Sequence, residues 1–117
     1  MRDEVKSLLP LSPAALHILL ALAGQDRHGY GIMRETFRQS QGHYKLGPGT
    51  LYDNLDKLMN RGLVADAPRR VARDDPRRHY YRLTEFGRRV LLADLERLRA
   101  VVKTSGLKLS EPEARKP

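Results

Sequence analysis

The sequence lacks cysteine and tryptophan, and it has few aromatic residues, with five Tyr and two Phe among 117 residues. Without cysteine, a disulfide framework, a thiolate metal site and a cysteine nucleophile are all excluded. The longest apolar run, residues 18–23, is far too short to cross a bilayer. Asp3 and Glu4 stand where a signal peptide would have basic residues. We therefore expect a cytoplasmic protein that does not enter the membrane.

Acidic residues are also scarce, since 14 Asp and Glu stand against 22 Lys and Arg, which gives a net charge of +8. A surplus of this size favours an anionic partner, with nucleic acid ahead of an anionic membrane. Most of the surplus is arginine, which suits phosphates and guanine edges better than the diffuse charge of lipid. The length predicts one domain with a modest core.

No pattern in the sequence predicts catalysis. A nucleophile elbow, a phosphate-binding loop and a His–carboxylate pair at a useful spacing are all missing. None of the four histidines, His17, His28, His43 and His79, has a partner at metal-ligand spacing. We therefore expect neither a metal nor a cofactor, and we expect His28 to bond the backbone at a helix start.

The chain is organised around residues 46–63, which predict a short helix with its own start and stop signals. Gly47 suits the N-cap and Pro48 the first helical position, where a missing N–H costs nothing. Gly62 can close the helix in the left-handed conformation. The helix has one apolar stripe with spacings of 4 and 3, formed by Leu51, Leu55 and Leu58.

The opposite face of this helix is polar, and its N-terminus suits anions such as DNA phosphates. Gly49 removes bulk where a backbone could approach DNA, and Thr50 could bond a phosphate or a base edge. Tyr52 could support the core or give its hydroxyl to a phosphate. Asp53 would repel phosphate, so it must accept from a cytosine amine or point aside. The predicted DNA contacts of this helix are Gly49, Thr50, Tyr52, Asp53, Lys57 and Arg61.

A short helical lead-in and two longer helices are predicted before this central stretch. A lead-in over residues 1–11 has a helical turn or two and ends at Pro10. Ser12 caps a helix that begins at Pro13, is apolar almost all round and ends near Gly24, so it should be the central core helix. The next helix runs from about residue 29 to 40, with a predicted buried stripe of Tyr30, Met33 and Phe37 and with Ile32 and Thr36 alongside it.

After Gly62 the pattern alternates, and residues 63–67 and 79–83 predict a β-hairpin with a long tip. Residues 61–82 contain seven arginines, counting Arg61 and Arg82. Such a cluster fits a DNA-touching wing, and the alternative is a solvated loop whose charges serve solubility. The predicted wing contacts are Arg69, Arg70, Arg73, Arg77 and Arg78.

Thr84 is the predicted cap of a last helix that extends to about residue 104. Its heptad-like seam is more apolar than a monomer surface should be, so we expect it to pair with a second copy and with the lead-in. The predicted interface residues are Val5, Leu8, Leu9, Leu91, Leu95, Leu98 and Val102. The expected domains are a lead-in at 1–11, a DNA-binding unit at 12–83, a dimerisation helix at 84–105 and a disordered tail at 106–117.

These elements predict a mainly α fold with a small β-hairpin: a winged helix-turn-helix plus a C-terminal dimerisation helix. The sequence resembles the short form of the PadR family of transcriptional regulators. The resemblance rests on residues 11–13 with 18–22, 28–32, 46–52, 61–64 and 78–87, above all the strings Pro-Gly-Thr-Leu-Tyr and Tyr-Tyr-Arg-Leu-Thr-Glu-Phe-Gly.

The resemblance implies a homodimeric repressor on a pseudo-palindromic DNA operator with ATGT-like half-sites, often released by a small aromatic or drug-like effector. Three features depart from the family: Gly47 replaces a serine, Asp53 replaces a neutral or basic residue, and the wing lacks a glycine pair. The alternative function is a winged-helix protein-interaction module that uses its basic wing on an acidic partner.

Overall fold

The computed structural model describes residues 2–68 and 77–110. Within these ranges the chain forms five helices and three short strands. The helices are α1 Arg2–Ser7, α2 Pro13–Ala23, α3 Gly29–Gln39, α4 Pro48–Asn60 and α5 Glu85–Leu109. The strands are β1 Arg27–His28, β2 Val64–Ala67 and β3 Tyr80–Leu83. The predicted fold class, mainly α with a small β-hairpin in a winged helix-turn-helix, is confirmed, and a third strand joins the hairpin.

Side chains cap three of the helices at their first turn. The cap residues are extended, and each accepts a hydrogen bond from a backbone N–H three residues later. The acceptors are Ser12 from Ala15 at 3.1 Å, His28 from Gly31 at 3.1 Å and Thr84 from Gly87 at 2.9 Å. Each bond satisfies a donor that the helix itself leaves unpaired, so the predicted roles of these three residues at helix starts are confirmed.

The core forms around α2, as its apolar sequence predicts. This helix packs against α3, α4, α5 and β3. Ile18 and Leu19 of α2, Leu51 of α4 and Val90 of α5 are completely buried. Burying a side chain of this size contributes about 1.5–3 kcal/mol, so these contacts hold α4 in place by its apolar stripe.

The sheet has the strand order β1–β3–β2 and is antiparallel throughout. β2 and β3 form the predicted hairpin, with Val64 opposite Leu83 and Ala67 opposite Tyr80. β1 adds a third strand that the sequence did not reveal, because two residues are too few to show an alternating pattern. Both tyrosines of the central strand β3, Tyr80 and Tyr81, are buried.

The predicted buried stripe of α3 is wrong for Tyr30 and Phe37, whereas Met33 packs against the core. Tyr30 is 60% exposed and Phe37 is 49% exposed, whereas Ile32 and Thr36 are completely buried. The two candidate stripes lie side by side on the helix, and the side chains nearer the α2 and α4 contacts form the core face. Two large aromatic rings of α3 are therefore on the surface, next to α4.

The structure also corrects the last helix. α5 continues to Leu109, so the tail predicted as disordered from residue 106 begins too early; residues 111–117 lie outside the described part of the chain. Leu91 is only 4% exposed because the first turns of α5 pack into the core of the same chain, and it cannot belong to a seam facing a second copy.

Candidate nucleic-acid interface

α4 begins and ends where its sequence signals predict. Gly47 is the extended N-cap residue, and its carbonyl oxygen accepts a hydrogen bond from the N–H of Leu51 at 2.9 Å. Gly62 follows the helix with a φ of 78°, in the left-handed region that glycine adopts without a steric penalty. The N–H of Leu63 donates a hydrogen bond to the carbonyl of Leu58 at 2.9 Å, which ends the helix.

Leu51, Leu55 and Leu58 of α4 are all buried, and the opposite face of the helix is open to solvent. A β-carbon at Gly47 or Gly49 would meet no atom within 4 Å, so the N-terminal turn offers free space around unpaired backbone N–H groups. Such an N-terminus attracts anions. The predicted contacts on this helix are all exposed: Gly49, Thr50, Tyr52, Asp53, Lys57 and Arg61.

Asp53 and Lys57 form an ion pair along α4, with 3.2 Å between Oδ2 and Nζ. Both side chains are 65% exposed, so the pair adds only a few tenths of a kcal/mol to stability. Its consequence is electrostatic, since the lysine neutralises the carboxylate on the exposed face of α4. An anion at this face would have to compete with Asp53 for Lys57.

Tyr52 lies where α4, α3 and the sheet meet. Its phenol ring covers the first residue of α3, and a β-carbon on Gly29 would lie 2.9 Å from Cζ of Tyr52. Burial raises the pKa of Tyr81 on β3, and the nearby Tyr52 and Asp66 raise it further. Of the two roles predicted for Tyr52, this packing supports the one in which its ring fixes α4 against its neighbours.

The wing places Arg77 and Arg78 on the surface just before β3. The other three predicted wing contacts, Arg69, Arg70 and Arg73, lie outside the described residues. At the base of the wing, Nε2 of His79 contacts Oδ1 of Asp66, and the imidazole stacks on the ring of Tyr81 with 4.7 Å between centroids. Sequence analysis missed this pair because finding it requires the register of the two strands.

The junction between the wing and α5 is built on Thr84 and Gly87. Besides capping α5, the hydroxyl of Thr84 donates to the carbonyl of Gly62 at 2.6 Å. The backbone N–H of Thr84 donates to the carbonyl of Leu63 at 3.1 Å. A β-carbon on Gly87 would lie 2.9 Å from the carbonyl carbon of Leu63, so a glycine is required for this approach. The end of α4 and the start of α5 are thereby fixed together.

The turn that leads into α4 is held by α2. The ring of Tyr44 stacks on His17 of α2 with 4.5 Å between centroids. Oγ of Ser40 accepts from the N–H of Tyr44 at 3.0 Å, which closes the turn after α3. These contacts join the segment before α4 to α2 and to the end of α3. Nothing in the spacing of His17 and Tyr44 along the chain indicated that the two rings would meet.

Within residues 2–68 and 77–110, no three His, Cys, Asp or Glu side chains lie close enough to hold a metal ion. Among the helices that the structure describes, none has both the length and the apolar composition needed to span a membrane.

Residues 18–93 match the profile of the transcriptional regulator PadR-like family. Over 88 residues, the chain is 35% identical to the transcriptional regulator Rv3488 of Mycobacterium tuberculosis, a match that covers 75% of this chain and 78% of that protein. The fold and these matches define a winged-helix transcriptional regulator. The chain belongs to the PadR-like family.

Solved structures agree with this assignment at the level of the fold. A PadR family transcription regulator from Clostridium difficile R20291 is 23% identical with a TM-score of 0.71, covering 84% of this chain and 99% of that one. RosR from H. salinarum is 26% identical with a TM-score of 0.65, covering 93% of this chain and 99% of that one.

Proposed function

We propose that this PadR-like regulator is a homodimeric repressor that binds a pseudo-palindromic DNA operator through α4 and the wing. The observation that carries the proposal is the position of α4, whose apolar stripe is buried while its N-terminal turn and polar face are open. Like other transcriptional regulators, it acts by binding rather than by catalysis. Such a protein works in the compartment that holds the DNA, in keeping with the cytoplasmic location expected from its sequence.

In this proposal α4 enters the major groove with its N-terminal turn foremost. Gly49 and Thr50 meet a phosphate or a base edge there, and Lys57 and Arg61 bind the sugar–phosphate backbone alongside. The exposed Arg77 and Arg78 contact phosphates or the adjacent minor groove, together with the predicted wing contacts Arg69, Arg70 and Arg73. The net charge of +8 supports a partner with dense negative charge.

The proposed dimer forms through the outer part of α5. From residue 99 onward every described residue of this helix is exposed, including Val102 at 69% and Leu109 at 68%. Together with Leu95 and Leu98, these two continue one seam along the helix, and a second copy would cover it. The lead-in residues Val5, Leu8 and Leu9 pack against the core of their own chain and would border the same interface.

In this proposal a small hydrophobic effector binds between the two last helices and the lead-in segments. Leu98 and Val102 would line that space with aliphatic rather than aromatic surface. The chain has no tryptophan to stack against a flat molecule. We therefore expect a compact apolar effector rather than a planar drug.

The test is a footprint of the protein on DNA that surrounds its own gene. We expect two protected half-sites with related, inverted sequences and centres about 34 Å or a multiple of that distance apart, because a two-fold dimer presents two recognition helices. A single unpaired half-site would contradict the dimer. Absence of protection at a salt concentration that permits phosphate contacts would contradict the proposed function as a whole.

A further inference from the structure

A pocket of about 250 Å³ opens between the lead-in and one side of α4. We call it the lead-in pocket. One wall is the segment from Leu8 to Ser12, which joins α1 to α2, and the other wall is the side of α4 that carries Asn54, Lys57 and Arg61. The contacts with DNA proposed above do not account for a cavity at this place.

The floor of the lead-in pocket is aliphatic. It is formed by Ala15, Leu58 and Leu63, which are all buried, and it is flanked by the half-buried Leu8 and Leu11. None of the residues that line it in the described part of the chain has an aromatic ring. A planar ligand therefore finds no ring to stack on, whereas an aliphatic group contacts carbon atoms on the floor and on one wall.

The polar groups at the mouth of the pocket are cations and a hydroxyl. Within residues 2–68 and 77–110 the guanidinium of Arg61 forms no ion pair, while the ammonium of Lys57 is shared with Asp53 at 3.2 Å. Oγ of Ser12 accepts from the N–H of Ala15, and its own hydrogen meets no acceptor among the described residues. No acidic residue lines the pocket in that part of the chain, so its charge suits an anion.

We propose that the lead-in pocket binds a small aliphatic carboxylate, and that this ligand competes with DNA for Arg61 and Lys57. The aliphatic body lies on the buried floor. The carboxylate accepts two parallel hydrogen bonds from the guanidinium of Arg61, the geometry that this pair of groups favours. The hydroxyl of Ser12 on the opposite wall donates a further hydrogen bond.

The volume of the pocket limits the size of the ligand. Drug-sized molecules occupy pockets of about 300–1,000 Å³, and an apolar cavity of about 150 Å³ holds benzene. By proportion, a pocket of about 250 Å³ takes about ten non-hydrogen atoms. Octanoate matches that size, so it serves as the probe.

Ligand and DNA exclude one another because they use the same cations. Lys57 and Arg61 are proposed contacts with the sugar–phosphate backbone, and a carboxylate bound to Arg61 occupies the donors that a phosphate would need. The ligand therefore lowers the affinity for DNA. This inference rests on the proposed function. The site differs from the effector space proposed between the last helices, because no described residue of α5 lines it.

Two simpler occupants match the pocket less well. A DNA phosphate alone would pair with the cations and leave the aliphatic floor uncovered. A neutral apolar molecule would cover the floor but would remove water from Arg61 without giving it a partner, which is unfavourable. A carboxylate with an aliphatic body satisfies both parts of the pocket.

The first experiment is isothermal titration calorimetry of the full chain without DNA, with octanoate below its micellar concentration. We expect saturable binding of one octanoate per chain. Octanamide has the same aliphatic body and no charge, and it should bind about 10-fold more weakly. Acetate has the charge and almost no body, and it should give no measurable binding at the same concentrations.

Variants locate the site in the same titration. Leu11→Gln places a polar group in the wall and should weaken octanoate binding by about 10-fold, whereas Leu11→Met should bind it as the wild type does. Arg61→Gln changes an exposed side chain, so the fold is retained, and its affinity for octanoate should fall to that for octanamide. Arg99→Gln, at an exposed arginine of α5, is the charge-matched control and should bind octanoate normally.

The second experiment follows the anisotropy of a labelled mixed-sequence duplex of about 30 base pairs. Octanoate at about ten times its dissociation constant should weaken duplex binding by about 10-fold, as mutually exclusive binding requires. The same concentration of acetate controls for ionic strength and should have no effect. Leu11→Gln should bind the duplex like the wild type and should respond much less to octanoate.

Three results would overturn the inference. Absence of saturable octanoate binding, in a protein that binds the duplex, would show that the pocket holds no such ligand while the proposed function stands. Octanoate binding that neither Leu11→Gln nor Arg61→Gln weakens would place the ligand elsewhere. Octanoate binding that leaves the affinity for the duplex unchanged would contradict the competition. If the wild type binds no DNA at all, the proposed function fails, and the calorimetric titration still decides whether the pocket binds a carboxylate.

Discussion

Thr84 bonds to Gly62 across the junction between α4 and α5, with 2.6 Å from its hydroxyl oxygen to the glycine carbonyl oxygen. The same hydroxyl accepts from the N–H of Gly87 at 2.9 Å. One side chain therefore joins the turn that follows α4 to the start of α5.

Replacing Thr84 with alanine should remove both bonds at once. Loss of the cap and of a partner for the Gly62 carbonyl should lower the free energy of unfolding by about 1–2 kcal/mol. Thr84→Ser keeps the hydroxyl and should cost much less. Urea unfolding curves of the wild type and the two variants, all at the same protein concentration, give the free energies of unfolding that check this. Equal stability of the alanine and serine variants would show that the bonds contribute nothing.

Gly29 and Tyr52 should behave as a coupled pair. Gly29→Ala would overpack the space that the Tyr52 ring occupies, at a cost of about 1–3 kcal/mol, although alanine is otherwise favoured in a helix. In a Tyr52→Ala background the same substitution should be neutral or stabilising, because the ring is gone. A double-mutant cycle measured by urea unfolding tests this, and strictly additive effects would contradict the packing described here.

Asp53→Asn should strengthen DNA binding, because it frees Lys57 and removes a negative charge from the proposed interface. We expect mixed-sequence duplex to bind about 3- to 10-fold more tightly, with a salt slope larger by about 1. Glu96→Gln on α5, at an exposed acidic residue, is the charge-matched control. A loss of affinity confined to the operator would instead mean that Asp53 accepts a hydrogen bond from a cytosine amine.

Val102→Asp should abolish the dimer without unfolding the protomer. The side chain is 69% exposed, so the charge is buried only when a second copy covers the seam. Ala100→Asp introduces the same charge at an exposed position on the opposite side of α5 and should leave the dimer intact. Sedimentation velocity separates the two species. An unchanged dimer peak for Val102→Asp would show that the interface lies elsewhere.

Local signals in the sequence predicted the elements of the fold well. Ser12 with Pro13, Gly47 with Pro48, and Thr84 each fix a helix start through short-range chemistry, and the structure confirms all three. The stripe of α4 was also predictable, because Leu51, Leu55 and Leu58 leave no other apolar face on that helix.

Contacts between distant parts of the chain could not be predicted in this way. The position of the Tyr52 ring over Gly29 and the bond from Thr84 to Gly62 depend on how helices and strands come together. The stripe of α3 was misassigned because it has two adjacent apolar faces, and only packing against α2 and α4 selects the buried one. Leu91 was wrongly predicted to lie in the interface, because the spacing of the apolar residues along α5 does not show which part of the helix packs into the core of its own chain.

The central claim is that α4 recognises DNA sequence while the wing holds the backbone. The most direct measurement titrates the footprinted operator and a scrambled duplex with wild type, Thr50→Ala and Arg77→Ala at several salt concentrations. Thr50→Ala should weaken binding to the operator by about 1–3 kcal/mol and barely change binding to the scrambled duplex. Arg77→Ala should weaken binding to both duplexes and lower the slope of log affinity against log salt by about 1. Equal losses on both duplexes for Thr50→Ala, together with an unchanged slope for Arg77→Ala, would contradict the account.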